Sequence, residues 1–297
     1  MTTASLLRGV GSMLLSTATF LSCDTLMKLA VVDVPPLEVL VLRGAFATCW
    51  CIPLLFALGL GRQIRQVANP WALLRATSES CAVMLFIIAL SRMPLGDLTA
   101  IMQTAPLIIV VVAALVWRDR IGPLRYVLVV LGFVGAVMVA QPGSSTASWV
   151  ALIAFPAAAL AAGRDLLSRM VPPGVPALVT ALTTIVVVMV TSGLANLLFG
   201  VWVVPSPLHL MQLAGAGFFL MCGQLFVFLA YRLAPAGVVA PFNYTAALWA
   251  VLSGAVVFGD VPNLLGLAGI GLIVASGVAV VMLDERRRPA AIAAAPG

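Results

Sequence analysis

Apolar residues run along this chain in ten long blocks, each interrupted by prolines, glycines or charges. The blocks predict helical spans at 6–30, 37–58, 71–92, 95–117, 123–141, 148–170, 176–199, 209–232, 236–258 and 263–283. At ~1.5 Å rise per residue, about 20 residues cross a hydrocarbon core ~30 Å thick. The breaks carry turn chemistry: Pro35 and Pro36, Gly59 and Gly61, Pro94, Gly122 and Pro123, Pro142 and Gly143, Pro172 to Gly174, Pro205 to Pro207, Pro235 and Pro262. Arg8 followed by an apolar stretch has the look of a signal peptide. The stretch runs on past Asp24 and Lys28 with no small-residue cleavage site, so it reads as the first helix. The predicted fold is an all-α membrane protein of ten transmembrane helices. Residues 285–297, basic and then rich in Ala and Pro, read as a disordered cytoplasmic tail.

Composition agrees with this reading. Only 9% of residues are charged and 63% are hydrophobic, against roughly a quarter charged in a soluble domain. Lipid must therefore be the solvent for the outer face, and the spans leave no room for a soluble catalytic domain. The net charge of +6 raises nucleic acid as a partner, but the bases sit at helix ends and in short loops, which is a topology signal. Arg62, Arg65, Arg118, Arg120, Arg169, Arg232 and Arg286 to Arg288 fall in loops on one side, and Arg92 alone in loops on the other. Both termini are then cytoplasmic and the expected location is the inner (plasma) membrane. The cysteines Cys23, Cys49, Cys51, Cys81 and Cys222 lie inside apolar runs without metal-site or CxxC spacing and read as packing residues.

Shifting the chain by 141 residues lays its halves over each other. Pro94 and Gly96 meet Pro235 and Gly237; Thr104 and Ala105 meet Thr245 and Ala246; Asp119 meets Asp260; Asp24 and Lys28 meet Asp165 and Arg169. Five spans is an odd number, so the second set must enter the membrane from the opposite side. The expected organisation is two inverted five-helix repeats, 1–142 and 143–284, a plan used by secondary transporters that bind substrate near the midplane.

The chain resembles the drug/metabolite transporter superfamily, in particular its EamA-type branch and the YddG-type amino acid exporters. The resemblance rests on the two sets of five spans, Lys28 late in the first, Pro35 and Arg43 around the second, and the run from Pro106 to Arg120 closing the fourth. The acid-plus-base ending is present as Asp119 and Arg120, whereas in the second half Asp260 is followed by Val261. The resemblance implies export of small metabolites, with amino acids as the substrate class.

Charges within a bilayer ask for a partner and a purpose. Glu79 lies deepest, ~12 Å into the third span, with Arg75 one turn earlier. Either Glu79 faces a cavity and meets a substrate amine or a proton, or it pairs with Arg75. Asp24 with Lys28 and Asp165 with Arg169 form i, i+4 pairs at opposite mouths, as gates or as anchors. Arg43 reads as structural. The fourth and ninth spans contain Pro106 and Pro241, which free backbone carbonyls. Beside them lie Met102, Gln103, Asn243, Tyr244 and Trp249, which with Ser78 and Ser80 complete the candidate substrate-binding set; Phe155, Phe218 and Gln224 are weaker candidates. His209, the only histidine, belongs at an outer mouth. No metal, nucleotide or hydrolase motif is present, so no cofactor is expected and the chain reads as a non-enzyme.

The leading expectation is a secondary transporter working by alternating access, with a small-molecule substrate and the lipid bilayer as partners and no nucleic acid. Drug or other metabolite efflux on the same scaffold is the near alternative. A membrane-embedded enzyme and a non-transporting subunit are the alternatives from other classes.

Overall fold

The computed structural model describes residues 3–116, 123–140, 148–168, 170–172 and 174–293. Regular structure among them is helical throughout. In chain order the α-helices are α1 (Thr3–Ala30), α2 (Pro36–Ala57), α3 (Pro70–Leu90), α4 (Leu95–Met102), α5 (Ala105–Val116), α6 (Pro123–Ala140), α7 (Ser148–Ser168), α8 (Ala177–Phe199), α9 (Pro207–Leu233), α10 (Ala236–Val239), α11 (Thr245–Ser253) and α12 (Leu264–Ala293). Eight helices or joined helical segments among the described residues are long and apolar enough to cross a membrane, and two shorter apolar stretches cover Leu95–Ile109 and Tyr126–Val139. The protein is a multi-pass helical membrane protein.

Local sequence explains the ends. Proline occupies the first turn of α2, α3 and α9, where its missing N–H would be unpaired in any case. The Asn69 side chain accepts from the amides of Trp71 and Ala72 at 3.0 and 3.3 Å, capping α3. Ser206 caps α9 through the His209 amide at 3.3 Å. Between α2 and α3 the chain turns at Gly59, whose φ of +72° suits glycine, and then makes a 3₁₀ helix, Gly61–Ala68.

The predicted continuous spans 95–117 and 236–258 are interrupted. Pro106 has no N–H for the Met102 carbonyl. The α-helix stops at Met102 and resumes at Ala105, and the amides of Leu107 and Ile108 both return to the Thr104 carbonyl at 2.9 and 3.0 Å. Around Pro241 the break is longer: α10, a 3₁₀ stretch Ala240–Tyr244, α11, then a π-helical turn Gly254–Phe258 that stops at Gly259 with φ +70°. The final helix passes the predicted end of its span at Leu283 and continues through Pro289 to Ala293. Residues 294–297, the loop 141–147, and the predicted Asp119–Arg120 ending lie outside the described residues.

The helices pack in pairs: α1 on α9, α3 on α7, α2 on α8, α4 on α11 and α6 on α12. The core is aliphatic, with Leu40, Ile87, Leu95, Leu98 and Ile101 fully buried, while large apolar side chains such as Phe199 and Leu264 face outward, as lipid contact requires. Lipid gives little hydrophobic drive between helices, so close backbone approach has to supply the contact. At the α6–α12 crossing, Gly135 and Gly269 face each other. A Cβ on Gly135 would lie 2.7 Å from the Gly269 carbonyl oxygen, and one on Gly269 would lie 2.6 Å from that of Gly135.

This contact predicts that Gly135→Val or Gly269→Val forces the two helices apart at a cost of about 1–3 kcal/mol. Thermal melts of the detergent-purified protein should show the loss, while Gly271→Val, at a glycine with open space around it, should melt close to the parent.

Candidate functional site

A cavity of about 260 Å³ lies between α1, α2, α3, α4, α7 and α9. Four charged side chains line it: Asp24 from α1, Arg43 from α2, Glu79 from α3 and Arg164 from α7. Phe20, Phe86, Met102 and Gln224 contribute apolar and amide surface. The cavity is thus lined by both signs of charge beside aromatic walls.

The Glu79 carboxylate accepts from Arg164 Nη1 at 2.7 Å, and Arg164 Nε donates to Asp165 Oδ1 at 2.8 Å. Of the two alternatives for Glu79, the structure has it lining the cavity, with Arg164 and not Arg75 as its hydrogen-bonded partner. Arg75 sits one turn from Glu79, but its guanidinium turns to α7 and α8, donating to the hydroxyls of Ser168 and Thr184 at 2.8 Å each. Sequence reading passed over Arg164 because a search for i, i+4 pairs selects Asp165 with Arg169 and skips the neighbouring base. The available signal was an arginine inside an apolar run. Asp165 is held by its neighbour Arg164, and Arg169 lies outside the described residues.

The expected Asp24–Lys28 pair is also divided. Asp24 faces the cavity, in electrostatic reach of Arg43. Lys28 reaches across to Asp260 Oδ2 at 3.2 Å, donates to the Met93 carbonyl at 3.3 Å, and lies 4.6 Å from the centre of the Phe258 ring. Asp97, at the start of α4, adds its charge to this group. Two further ties lie around the α1–α2 junction. His209 Nε2 is 3.3 Å from Asp33 Oδ2, and the Val203 amide donates to Glu38 at 3.0 Å. Asp33, Glu38 and Asp97 were not singled out from sequence, where acids near helix ends look like ordinary anchors.

The other candidates separate. Ser78 donates to the Leu160 carbonyl at 2.9 Å, and Ser80 is hydrogen-bonded to Thr191. Each is ~100° around the helix from Glu79, so the flanking serines bind α3 to α7 and α8 instead of lining the cavity. Met102 does line it. Gln103 donates to the Asn243 carbonyl at 3.1 Å, joining the two interrupted segments away from the charges. Tyr244 is 3% exposed, packed against Gly277 beside an apolar groove between α11 and α12. Trp249 lines a separate pocket with Ser22, Thr25 and Phe219. Phe218 stacks edge-on against Trp50 and Phe219. Of the eight substrate-contact candidates, Glu79 and Met102 share the charged cavity; Asp24, expected in an ion pair, joins them there.

Comparison with known proteins points the same way. Residues 7–141 match the EamA-like transporter family. A riboflavin transporter of Rhizobium johnstonii is 29% identical over 82% of this chain and 80% of its own. A pseudopaline exporter of Pseudomonas aeruginosa is 27% identical over 92% and 95%. The human solute carrier family 35 member G1 is 24% identical over 89% and 76%. One crystal structure superposes with a TM-score of 0.64 at 20% identity, over 97% of this chain and 100% of that one, a likeness of fold. These similarities support a membrane transporter of small molecules.

The central pair predicts a specific pattern of stability. Glu79→Gln or Arg164→Gln should each destabilise by about 2–3 kcal/mol, below the ~3–5 of a fully buried pair because both side chains touch the cavity. The double variant should fall short of the sum, and denaturant melts in detergent would measure the coupling.

Proposed function

We propose that this chain is a secondary transporter of the EamA type that exports small metabolites, amino acids foremost, across a bacterial inner membrane by alternating access. The observation that carries the reading is the cavity between α1, α2, α3, α4, α7 and α9, which offers carboxylates and guanidinium groups together with aromatic walls. A zwitterion with an apolar side chain is complementary to such a lining. An apolar solute alone would leave buried charges without partners.

Packing supports two inverted five-helix repeats, 1–142 and 143–284, with α4 and α5 counted as the fourth of ten spans and α10 and α11 as the ninth. Exchanging the halves turns the first–eighth pair (α1 on α9) into the sixth–third pair (α7 on α3). The second–seventh, fourth–ninth and fifth–tenth pairs map onto themselves. The family match ends at residue 141, beside the proposed boundary. Basic loop residues support cytoplasmic termini, and on that orientation the end where α1 stops is the outer face. There Lys28–Asp260, Asp33–His209 and Glu38 with the Val203 amide each join the first half to the second. In this arrangement they close the outer mouth.

Uptake and counterflow of labelled amino acids in liposomes test the substrate class. Movement of a subset, saturable and competed by unlabelled substrate, is expected. The second reading, efflux of another metabolite on the same scaffold, is favoured by the relatives named for riboflavin and pseudopaline. Transport of riboflavin with no amino acid movement would replace the first reading with the second.

The gate has its own test. Lys28→Cys with Asp260→Cys, in a background lacking the native cysteines, should be bridged by a short bis-maleimide with a cleavable disulfide linker, and transport should stop until the linker is reduced. Full transport by the cross-linked protein would show that this contact does not open during the cycle.

A further inference from the structure

Two arginines line the central cavity, and their circumstances differ. Arg164 gives Nη1 to Glu79 and Nε to Asp165. Arg43 is only 7% exposed, lines the same cavity, and has an Nε with no hydrogen-bond partner. A guanidinium is a rigid planar fork of five N–H donors and stays protonated even when buried. Asp24 lies within electrostatic reach, which lowers the cost of holding the charge there without occupying that nitrogen.

The base of this side chain is fixed. Gly217 lets α9 lie directly on α2: a Cβ there would stand 2.7 Å from the Ala47 amide nitrogen and 3.1 Å from the Arg43 carbonyl oxygen. The guanidinium therefore projects from a backbone locked between two helices into a cavity large enough for a small solute. The unpartnered Nε is a donor for one oxygen of a carboxylate, and a charge-assisted bond of that kind is strong as well as directional.

We propose that Arg43 is the specificity-determining residue of the transport site and binds the carboxylate of the solute, leaving the Glu79–Arg164 pair intact. This rests on the reading of the central cavity as the transport site. Asp24 lines the same cavity and is the acid free to meet a cationic end of the same molecule. The site thereby distinguishes a carboxylate-bearing solute from the amine that lacks the carboxylate.

Three probes of similar shape separate the contributions: L-phenylalanine, 3-phenylpropionate and phenethylamine. Ligand-induced thermal shifts on the purified full chain, alongside liposome transport, give the readouts. The parent protein should bind the two carboxylates in preference to phenethylamine. Arg43→Gln should weaken the carboxylates at least about tenfold, the low end for a charge-assisted bond, and leave phenethylamine unchanged. Arg43→Lys should recover part of the loss, which shows that the fold survives at this position. Equal carboxylate binding by Arg43→Gln, or a parent that prefers the amine, overturns the role of Arg43 while transport in liposomes still stands. A parent that moves riboflavin and none of the three probes overturns the carboxylate site together with the amino acid reading.

Discussion

A polar group that enters hydrocarbon must find its partner within the protein, because no water is there to supply one. That demand organises this molecule at every level. The regular structure among the described residues is helical, so its amides and carbonyls are paired locally. Prolines open α2, α3 and α9, and two lie inside helices at Pro53 and Pro156; at the two interruptions, Pro106 and Pro241, short 3₁₀ and π segments and the Gln103 side chain take over. Among side chains the same demand joins Glu79 to Arg164 and Arg75 to Ser168 and Thr184.

These side-chain ties are long-range. Lys28–Asp260, Asp33–His209, Glu38 to Val203 and Glu79–Arg164 each join a residue before position 142 to one after it. Pairs along one helix, the geometry in which Asp24 and Lys28 or Arg75 and Glu79 stand in the sequence, are worth only ~0.2–0.5 kcal/mol. A pair formed between helices is better shielded and fixes how two surfaces meet. These charges therefore lie where parts of the chain before and after residue 142 touch. Small residues do complementary work: Gly135 and Gly269 let α6 and α12 approach closely, and Gly217 lets α9 lie on α2.

Around the central cavity, constraint and function meet. Arg164 is held by two carboxylates, while Arg43 keeps an open donor. A buried charge that the protein leaves incompletely paired is expensive in a bilayer, a cost that the proposed carboxylate contact would offset.

Much of this was legible in the chain itself. Apolar blocks of about 20 residues determined a multi-pass helical membrane protein, because the thickness of the bilayer fixes how long such a block must be. Prolines and glycines marked the ends of spans, since their effects are local to the backbone. Sequence also picked out Glu79 and Met102, which line the charged cavity, and Lys28 and Asp24 among the charges. It could not assign their partners. Spacing along one helix suggested Arg75 for Glu79 and Asp24 for Lys28, but side-chain direction and helix packing chose Arg164 and Asp260. Ser78 and Ser80 neighbour Glu79 in sequence yet turn away from the cavity, because successive residues on a helix point ~100° apart. What enters a membrane is set by composition and length. Which charges face each other across it is set by how helices distant in sequence dock, and only the tertiary structure decides that.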